Sequence, residues 1–105
     1  MRADMSRLTA ALDEIEAEIL SLYPELPEPS ATDIAEGGAF GMATMAFPQW
    51  LRYVFVPAAR QRIADDELPA QSSVGAHAVR EFDGDNRADR LVGLLTSFDW
   101  LVIAR

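Results

Sequence analysis

Residues 3–23 read ADMSRLTAALDEIEAEILSLY, and their apolar side chains recur every three or four positions. That spacing places them on one face of an α-helix, with acidic residues at the positions between them. The apolar face comprises Met5, Leu8, Leu12, Ile15, Ile19 and Leu22. Pro24 ends the predicted helix, because proline disfavours the helical conformation of the preceding residue and has no amide hydrogen. A helix with one apolar stripe must bury that stripe against other helices, so the segment predicts a helical bundle.

A second long helix is predicted from Pro48, which suits a first helical position, to about Asp65. Residues 50–59 are apolar at nearly every position. This is typical of the central helix of a bundle, or of a helix with one face in an interface. Pro57 falls inside the segment and either bends the helix near the carbonyl of Tyr53 or ends it, and both alternatives stay open.

Two more helices are predicted in the last third of the chain. The first is short, with Val74, Ala78 and Phe82 on its inner face; Ser72 or Ser73 caps its start, and it ends near Gly84. Asp85 or Asn86 caps the last helix, in which Leu91, Leu94, Leu95, Phe98, Leu101 and Val102 follow helical spacing.

The segments between these helices are less regular. Residues 24–38 contain three prolines and several acids and predict an extended connection. Residues 39–46 predict a short helical turn with Phe40, Met42 and Met45 facing inward. The expected fold class is therefore all-α, a small helical bundle of four main helices plus a short helical turn, in one domain spanning residues 1–105.

The composition excludes several kinds of chemistry. The chain has 105 residues, a net charge of −8, no cysteine and a single histidine, and all nine basic residues are arginine. Schiff-base lysines, thiol nucleophiles, thiolate metal sites and zinc sites built on several histidines are thereby excluded. Asp83, Asp85 and Asp89 do not match a calcium loop. We expect no cofactor and no metal, and, since the longest apolar stretch is too short to span a bilayer, a cytoplasmic protein without a membrane segment.

Four residues in the middle of the chain are candidate partner-binding residues: Met42, Met45, Trp50 and Tyr53. Methionine and aromatic side chains dominate grooves that accept helices or apolar ligands. The alternative is that they belong to the core, because a small bundle must bury most of its large apolar groups.

Arg52, Arg60 and Arg62 are candidate anion-binding residues. They lie in residues 37–64, which contain no acid, whereas residues 1–36 carry nine. Two converging guanidinium groups would bind a carboxylate or a phosphate. The alternative is a set of surface ion pairs with the acidic N-terminal helix. Because the whole chain is acidic, we expect no binding to DNA.

The positions of two further polar residues, His77 and Asp99, also allow predictions. His77 and Glu81 are four residues apart on a predicted helix, as an acid–base pair would be, but we expect a partly exposed histidine without a catalytic role. Asp99 lies in an apolar helix between Phe98 and Trp100. If buried, it needs an arginine or several backbone donors, and we expect it to orient the last helix.

The middle of the chain resembles the YqcC-like family of small bacterial proteins, a domain of unknown function. The residues that carry the resemblance are Phe40, Met42, Thr44, Met45, Trp50, Leu51, Tyr53, Val54, Pro57, Leu68 and Pro69, with a looser match at Asp99 and Leu101. The resemblance implies a small all-α bundle and a bacterial source, with no activity or catalytic residue to transfer. Some members are named after an association with a tRNA pseudouridine synthase, which is a larger mixed α/β enzyme.

The predicted function is a non-catalytic protein-interaction module that binds a protein partner or a second copy of itself. The predicted second long helix favours this interpretation, because residues 50–59 are apolar at nearly every position. The alternative is an accessory factor linked to tRNA pseudouridine modification, which contacts RNA or the modifying enzyme. We expect no enzymatic activity, since no catalytic constellation is visible in the sequence.

Overall fold

The apolar face predicted for the first helix lies at the centre of the core. The computed structural model describes residues 3–104, with side chains from residue 5 onward. Helix α1 (Ala3–Leu22) buries its stripe against the last helix and the second half of the central helix. Leu8, Leu12, Ile15 and Ile19 have no exposed side-chain surface. The amphipathic pattern thus decides which face of α1 packs inward, as predicted.

Four more helices complete the bundle. They are α2 (Ala31–Glu36), α3 (residues 47–64), α4 (Val74–Glu81) and α5 (Asp89–Ala104). Short 3₁₀ turns occupy Ala39–Gly41 and Asn86–Ala88. The residues described contain no β-strand. The all-α prediction is confirmed, and the four long helices are the four that the sequence predicts.

Helix α3 passes through Pro57 without ending. It consists of an α-helical start (Phe47–Trp50), a π-helical segment (Leu51–Phe55) and a second α-helical part (Val56–Ala64). The Val56 amide donates to the Leu51 carbonyl, five residues back. This wider turn lies immediately before Pro57 and makes room for its ring, which in a regular helix would clash with the Tyr53 carbonyl. Pro57 therefore distorts the helix and does not terminate it.

The connection between α1 and α3 differs from its prediction. Residues 24–30 are not helical, as expected, but α2 follows them and was missed. It begins at Ser30, whose Oγ accepts a hydrogen bond of 3.0 Å from the Asp33 amide. A six-residue helix has no periodicity long enough to show in a sequence, so only its cap signals it.

The predicted turn at residues 39–46 is correct in part. A 3₁₀ turn begins at Ala39, and Phe40 packs against the core. Met45 is half-buried, but Met42 is 64% exposed, so its predicted inward orientation is wrong. Phe40 has φ of 56°, in the left-handed region that bulky residues rarely adopt. This conformation redirects the chain after Phe40 and leaves Met42 at the surface.

Candidate functional site

Trp50 belongs to a cluster of aromatic rings between α3 and the loop before it. Its ring centroid lies 5.3 Å from Phe40, 5.8 Å from Phe47 and 5.6 Å from Phe55. The side chain is only half-buried, since its outer edge lines an open groove between α3 and α5. Trp50 therefore packs partly in the core and is partly exposed at the surface, so both alternatives offered by the sequence, core residue and surface residue, apply to it in part.

The other three candidate partner-binding residues lie elsewhere. Met42 and Met45 border a separate depression of about 140 Å³, together with Phe40, Phe47 and Glu81. Tyr53 donates a 2.9 Å hydrogen bond from its hydroxyl to the Leu26 carbonyl and so holds the proline-rich connection against α3. The four candidates therefore do not form one groove.

Each of the three candidate anion-binding arginines has a different neighbour. Arg60 is 2.9 Å from Asp13 and 2.8 Å from Glu16, both on α1. The hydrogen bond to Glu16 and the contact with Asp13 raise the pKa of the Arg60 guanidinium above its ordinary value. Arg52 lies over the Tyr53 ring at 4.9 Å. For Arg60, this is the ion pair with the acidic N-terminal helix that the sequence offered as an alternative.

Arg62 points to the other side of α3. Its Nη1 donates a long hydrogen bond of 3.4 Å to the Glu67 carbonyl, and its side chain lines the groove beside Trp50. Since Arg60 is held on α1 and Arg62 faces this groove, the two do not form a joint anion site.

His77 is more buried than predicted. It is 7% exposed, and its ring stacks on Phe40 at 4.0 Å with an angle of 4° between the planes. Nε2 lies 3.2 Å from a carboxylate oxygen of Glu81, although the geometry does not satisfy a hydrogen bond. The i, i+4 pair exists as predicted, but the expected partial exposure of His77 is wrong, because the loop carrying Phe40 covers it.

Asp99 is buried and bound by backbone donors. Its Oδ1 accepts from the Val74 amide at 3.1 Å and its Oδ2 from the Gly75 amide at 2.7 Å. The Ser72 hydroxyl also donates to Oδ1. Asp99 of α5 therefore caps the start of α4, where Ser73 makes no capping bond with its side chain. The predicted serine cap is wrong in detail, whereas the structural role of Asp99 agrees with the prediction.

Sequence reasoning missed an apolar surface between α4 and α5. Three large side chains there are at least half exposed: Val79 at 55%, Trp100 at 66% and Ile103 at 50%. They border a shallow depression of about 290 Å³ with Ala76 and Thr96, which we call the α4–α5 patch. The signal was present in α5, where apolar residues occupy more than one face of the helix.

The groove beside Trp50 is the second open surface. It holds about 300 Å³ and lies between the middle of α3, the loop after α3 and the side of α5. We call it the α3–α5 groove. Its walls are mainly apolar, formed by Trp50, Val54, Phe55, Ala58, Leu68, Phe98 and Val102, with Arg62, Gln71 and Ser72 as polar members. Two wall residues, Val54 and Phe55, belong to the π-helical segment.

A protein-family model matches residues 7–101, which is nearly the whole chain. The chain belongs to the DUF446 family. The description attached to this family of unknown function is tRNA pseudouridine synthase C. No curated protein and no solved structure matches the chain significantly. The sequence-based assignment to a family of unknown function is thus confirmed at that level, and the YqcC-like name stays a prediction.

The DUF446 match spans every element described above, from the first turns of α1 to Leu101 in α5. Within residues 3–104, no helix is long and apolar enough to cross a membrane. The same residues contain no group of three or more histidine, cysteine or carboxylate side chains arranged to hold a metal ion.

Proposed function

We propose that this DUF446 protein is a non-catalytic protein-interaction module that binds a protein partner through the α4–α5 patch. The observation that carries the proposal is the exposure of Val79, Trp100 and Ile103 side by side on two packed helices. Single exposed apolar side chains are common, but contiguous ones mark interaction sites. An exposed tryptophan in such a patch is the kind of residue that supplies much of the binding energy in interfaces.

The surroundings of the patch favour a protein partner over a charged polymer. Among the described residues that border this depression, Asp99 is the only ionisable one, and its carboxylate accepts hydrogen bonds from the amides at the start of α4. The helices below it are held together rigidly, because Asp99 joins α5 to α4 and Gly75 packs directly on the Thr96 backbone. A preformed apolar surface loses little conformational entropy on binding.

Two observations support the non-catalytic part of the proposal. His77, the only histidine, is covered by the Phe40 ring. Asp99, the buried carboxylate, is fully occupied as a helix cap. General acid–base catalysis requires a group that is free to exchange a proton with a substrate, whereas His77 is covered and the Asp99 oxygens accept hydrogen bonds from α4 and Ser72.

The family description indicates which partner to test first. Because it names a tRNA pseudouridine synthase, we propose that the partner is the synthase of this name encoded in the same genome. The chain would then act as an accessory factor of tRNA modification. Direct contact with the RNA is the second form of this role, but Arg60, one of the three central arginines, already pairs with two carboxylates.

The proposal is tested by capture of partners from the host lysate. Wild-type protein is compared with Trp100→Ala and with Ile34→Ala, which removes an exposed apolar side chain from α2 as a matched control. We expect the synthase, identified by mass spectrometry, with wild type and Ile34→Ala but not with Trp100→Ala. Equal capture by all three folded proteins would contradict the role of the patch.

A ribonuclease arm separates protein from RNA contacts. A partner bound through the patch resists ribonuclease, whereas one bridged by tRNA is released. In the RNA-contacting alternative, purified chain binds tRNA with an affinity that falls steeply between 50 and about 200 mM salt. Absence of salt-sensitive tRNA binding would eliminate that alternative and leave the protein-interaction role.

A further inference from the structure

We infer that the α3–α5 groove is a binding site for a small amphipathic carboxylate, a molecule with an apolar body and one anionic end. This site is separate from the α4–α5 patch and does not depend on the proposed function. We base it on the shape of the groove, on Arg62 in its wall and on the π-helical segment beside it.

The apolar part of the groove suits a hydrocarbon or aromatic body. Its volume of about 300 Å³ is at the lower end of the range for small-molecule sites. At the roughly 30 Å³ that one liquid water occupies, this corresponds to about ten non-hydrogen atoms. Trp50, Phe55 and Phe98 are the aromatic residues among those that line the groove.

The charge in the groove specifies the other end of the ligand. Among the described residues that line the groove, Arg62 is the only one with an ionisable side chain. One guanidinium nitrogen makes the long bond to the Glu67 carbonyl, so further N–H groups remain for a carboxylate. The neighbouring Asp65 is turned to Gln61, whose Nε2 contacts both carboxylate oxygens at 3.0 Å. An arginine beside an apolar wall binds a carboxylate with directed hydrogen bonds.

The backbone of α3 also shapes the groove. The π-helical segment Leu51–Phe55 widens the helix where Val54 and Phe55 form the groove wall. Single π-helical turns inside α-helices are rare and occur frequently at functional sites. Here the segment places three successive apolar side chains, from Val54 to Val56, partly on the groove and partly in the core.

The test uses octanoate as the probe and octanol as its uncharged control. Trp100→Phe leaves Trp50 as the only tryptophan, so a change in fluorescence reports occupation of the groove. We expect octanoate to bind more tightly than octanol, and Arg62→Gln to weaken octanoate binding about tenfold without changing octanol. Arg52→Gln, at an arginine outside the groove, is the matched control and is expected to have no effect.

A second variant tests the apolar part of the site. Ala58→Trp fills the groove from an exposed position of α3 and is expected to abolish binding of both probes. Absence of octanoate binding at millimolar concentration would overturn the inference. Equal binding of octanoate and octanol, or an unchanged affinity in Arg62→Gln, would overturn the carboxylate specificity.

Discussion

At the scale of single residues, Asp99 shows how a polar group in an apolar helix is accommodated. Burial of a carboxylate is costly unless donors compensate it, so the sequence limits its partners to an arginine or backbone amides. The structure uses the amides of Val74 and Gly75, which lie at the start of α4 and have no partner within their own helix. The Asp99 side chain thereby obtains hydrogen-bond donors in the core and at the same time caps the start of α4.

Removing this cap is expected to destabilise the protein. Asp99→Ala leaves two buried amides and the Ser72 hydroxyl without their acceptor, which costs about 2–3 kcal/mol in the free energy of unfolding. Asp99→Asn keeps one acceptor oxygen and costs about 1 kcal/mol. Urea denaturation measures both, with Glu14→Gln on the exposed face of α1 as the control. A loss below about 0.5 kcal/mol in Asp99→Ala would contradict the capping role.

Two glycines in helices give opposite predictions. A Cβ on Gly75 would lie 2.5 Å from Thr96 Cα and 2.7 Å from its nitrogen, whereas a Cβ on Gly93 meets no atom within 4 Å. Gly75→Ala must separate α4 from α5 and is expected to cost about 2–3 kcal/mol. Gly93→Ala is expected to add about 0.5–1 kcal/mol through helix propensity. Thermal unfolding of both variants measures the difference, and equal melting temperatures would show that the helices do not meet at Gly75.

At the scale of elements, helix α3 owes its π-helical segment to the spacing of its buried residues. Phe47, Leu51, Val56 and Ala59 face the core, with steps of four, five and three. In a regular α-helix Leu51 and Val56 would lie about 140° apart around the axis. The wider π turn brings both to the same face, so core packing and Pro57 favour the same distortion.

We expect residues 51–55 to keep their π-helical conformation when Pro57 is replaced. In Pro57→Ala the amide regained at position 57 can bond to the Tyr53 carbonyl, but a regular helix would rotate Leu51 out of the core. We therefore expect the bond from the Val56 amide to the Leu51 carbonyl to remain protected in hydrogen exchange. A helix with regular α-helical shifts throughout residues 51–56 in NMR spectra would contradict this explanation.

Some features of the helices can be predicted from the sequence, and others cannot. The stripe of α1 was predicted correctly, because periodicity is a local property. Of the two residues predicted to cap the last helix, Asp85 caps the 3₁₀ turn Asn86–Ala88 that leads into α5, and Asn86 lies within that turn. Helix α2 and the π-helical segment were not predicted, since six residues show no period and residues 50–56 are apolar at nearly every position. The apolar residues of α5 occupy more than one face of the helix, but which of these faces stays exposed as the α4–α5 patch depends on packing against the neighbouring helices.

At the scale of the whole molecule, the negative charge of α1 is partly neutralised by arginines of α3 and α5. Arg60 from α3 and Arg90 from α5 pair with Asp13, Glu16 and Glu18 of α1. These exposed pairs contribute at most about 1 kcal/mol each, and less at high salt. The net negative charge of the chain disfavours binding of nucleic acid, whereas the mainly apolar α4–α5 patch is compatible with a protein partner.

The most direct test of the central claim is a calorimetric titration of the purified synthase with this DUF446 protein, in the absence of RNA. We expect the synthase to form a saturable complex with wild type and with Ile34→Ala. Trp100→Ala, with unchanged helical content, is expected to bind at least about tenfold more weakly, because it lacks the aromatic side chain that anchors the interface. No complex with wild type, or equal affinity for all three proteins, would contradict the assignment of the α4–α5 patch as the partner-binding surface.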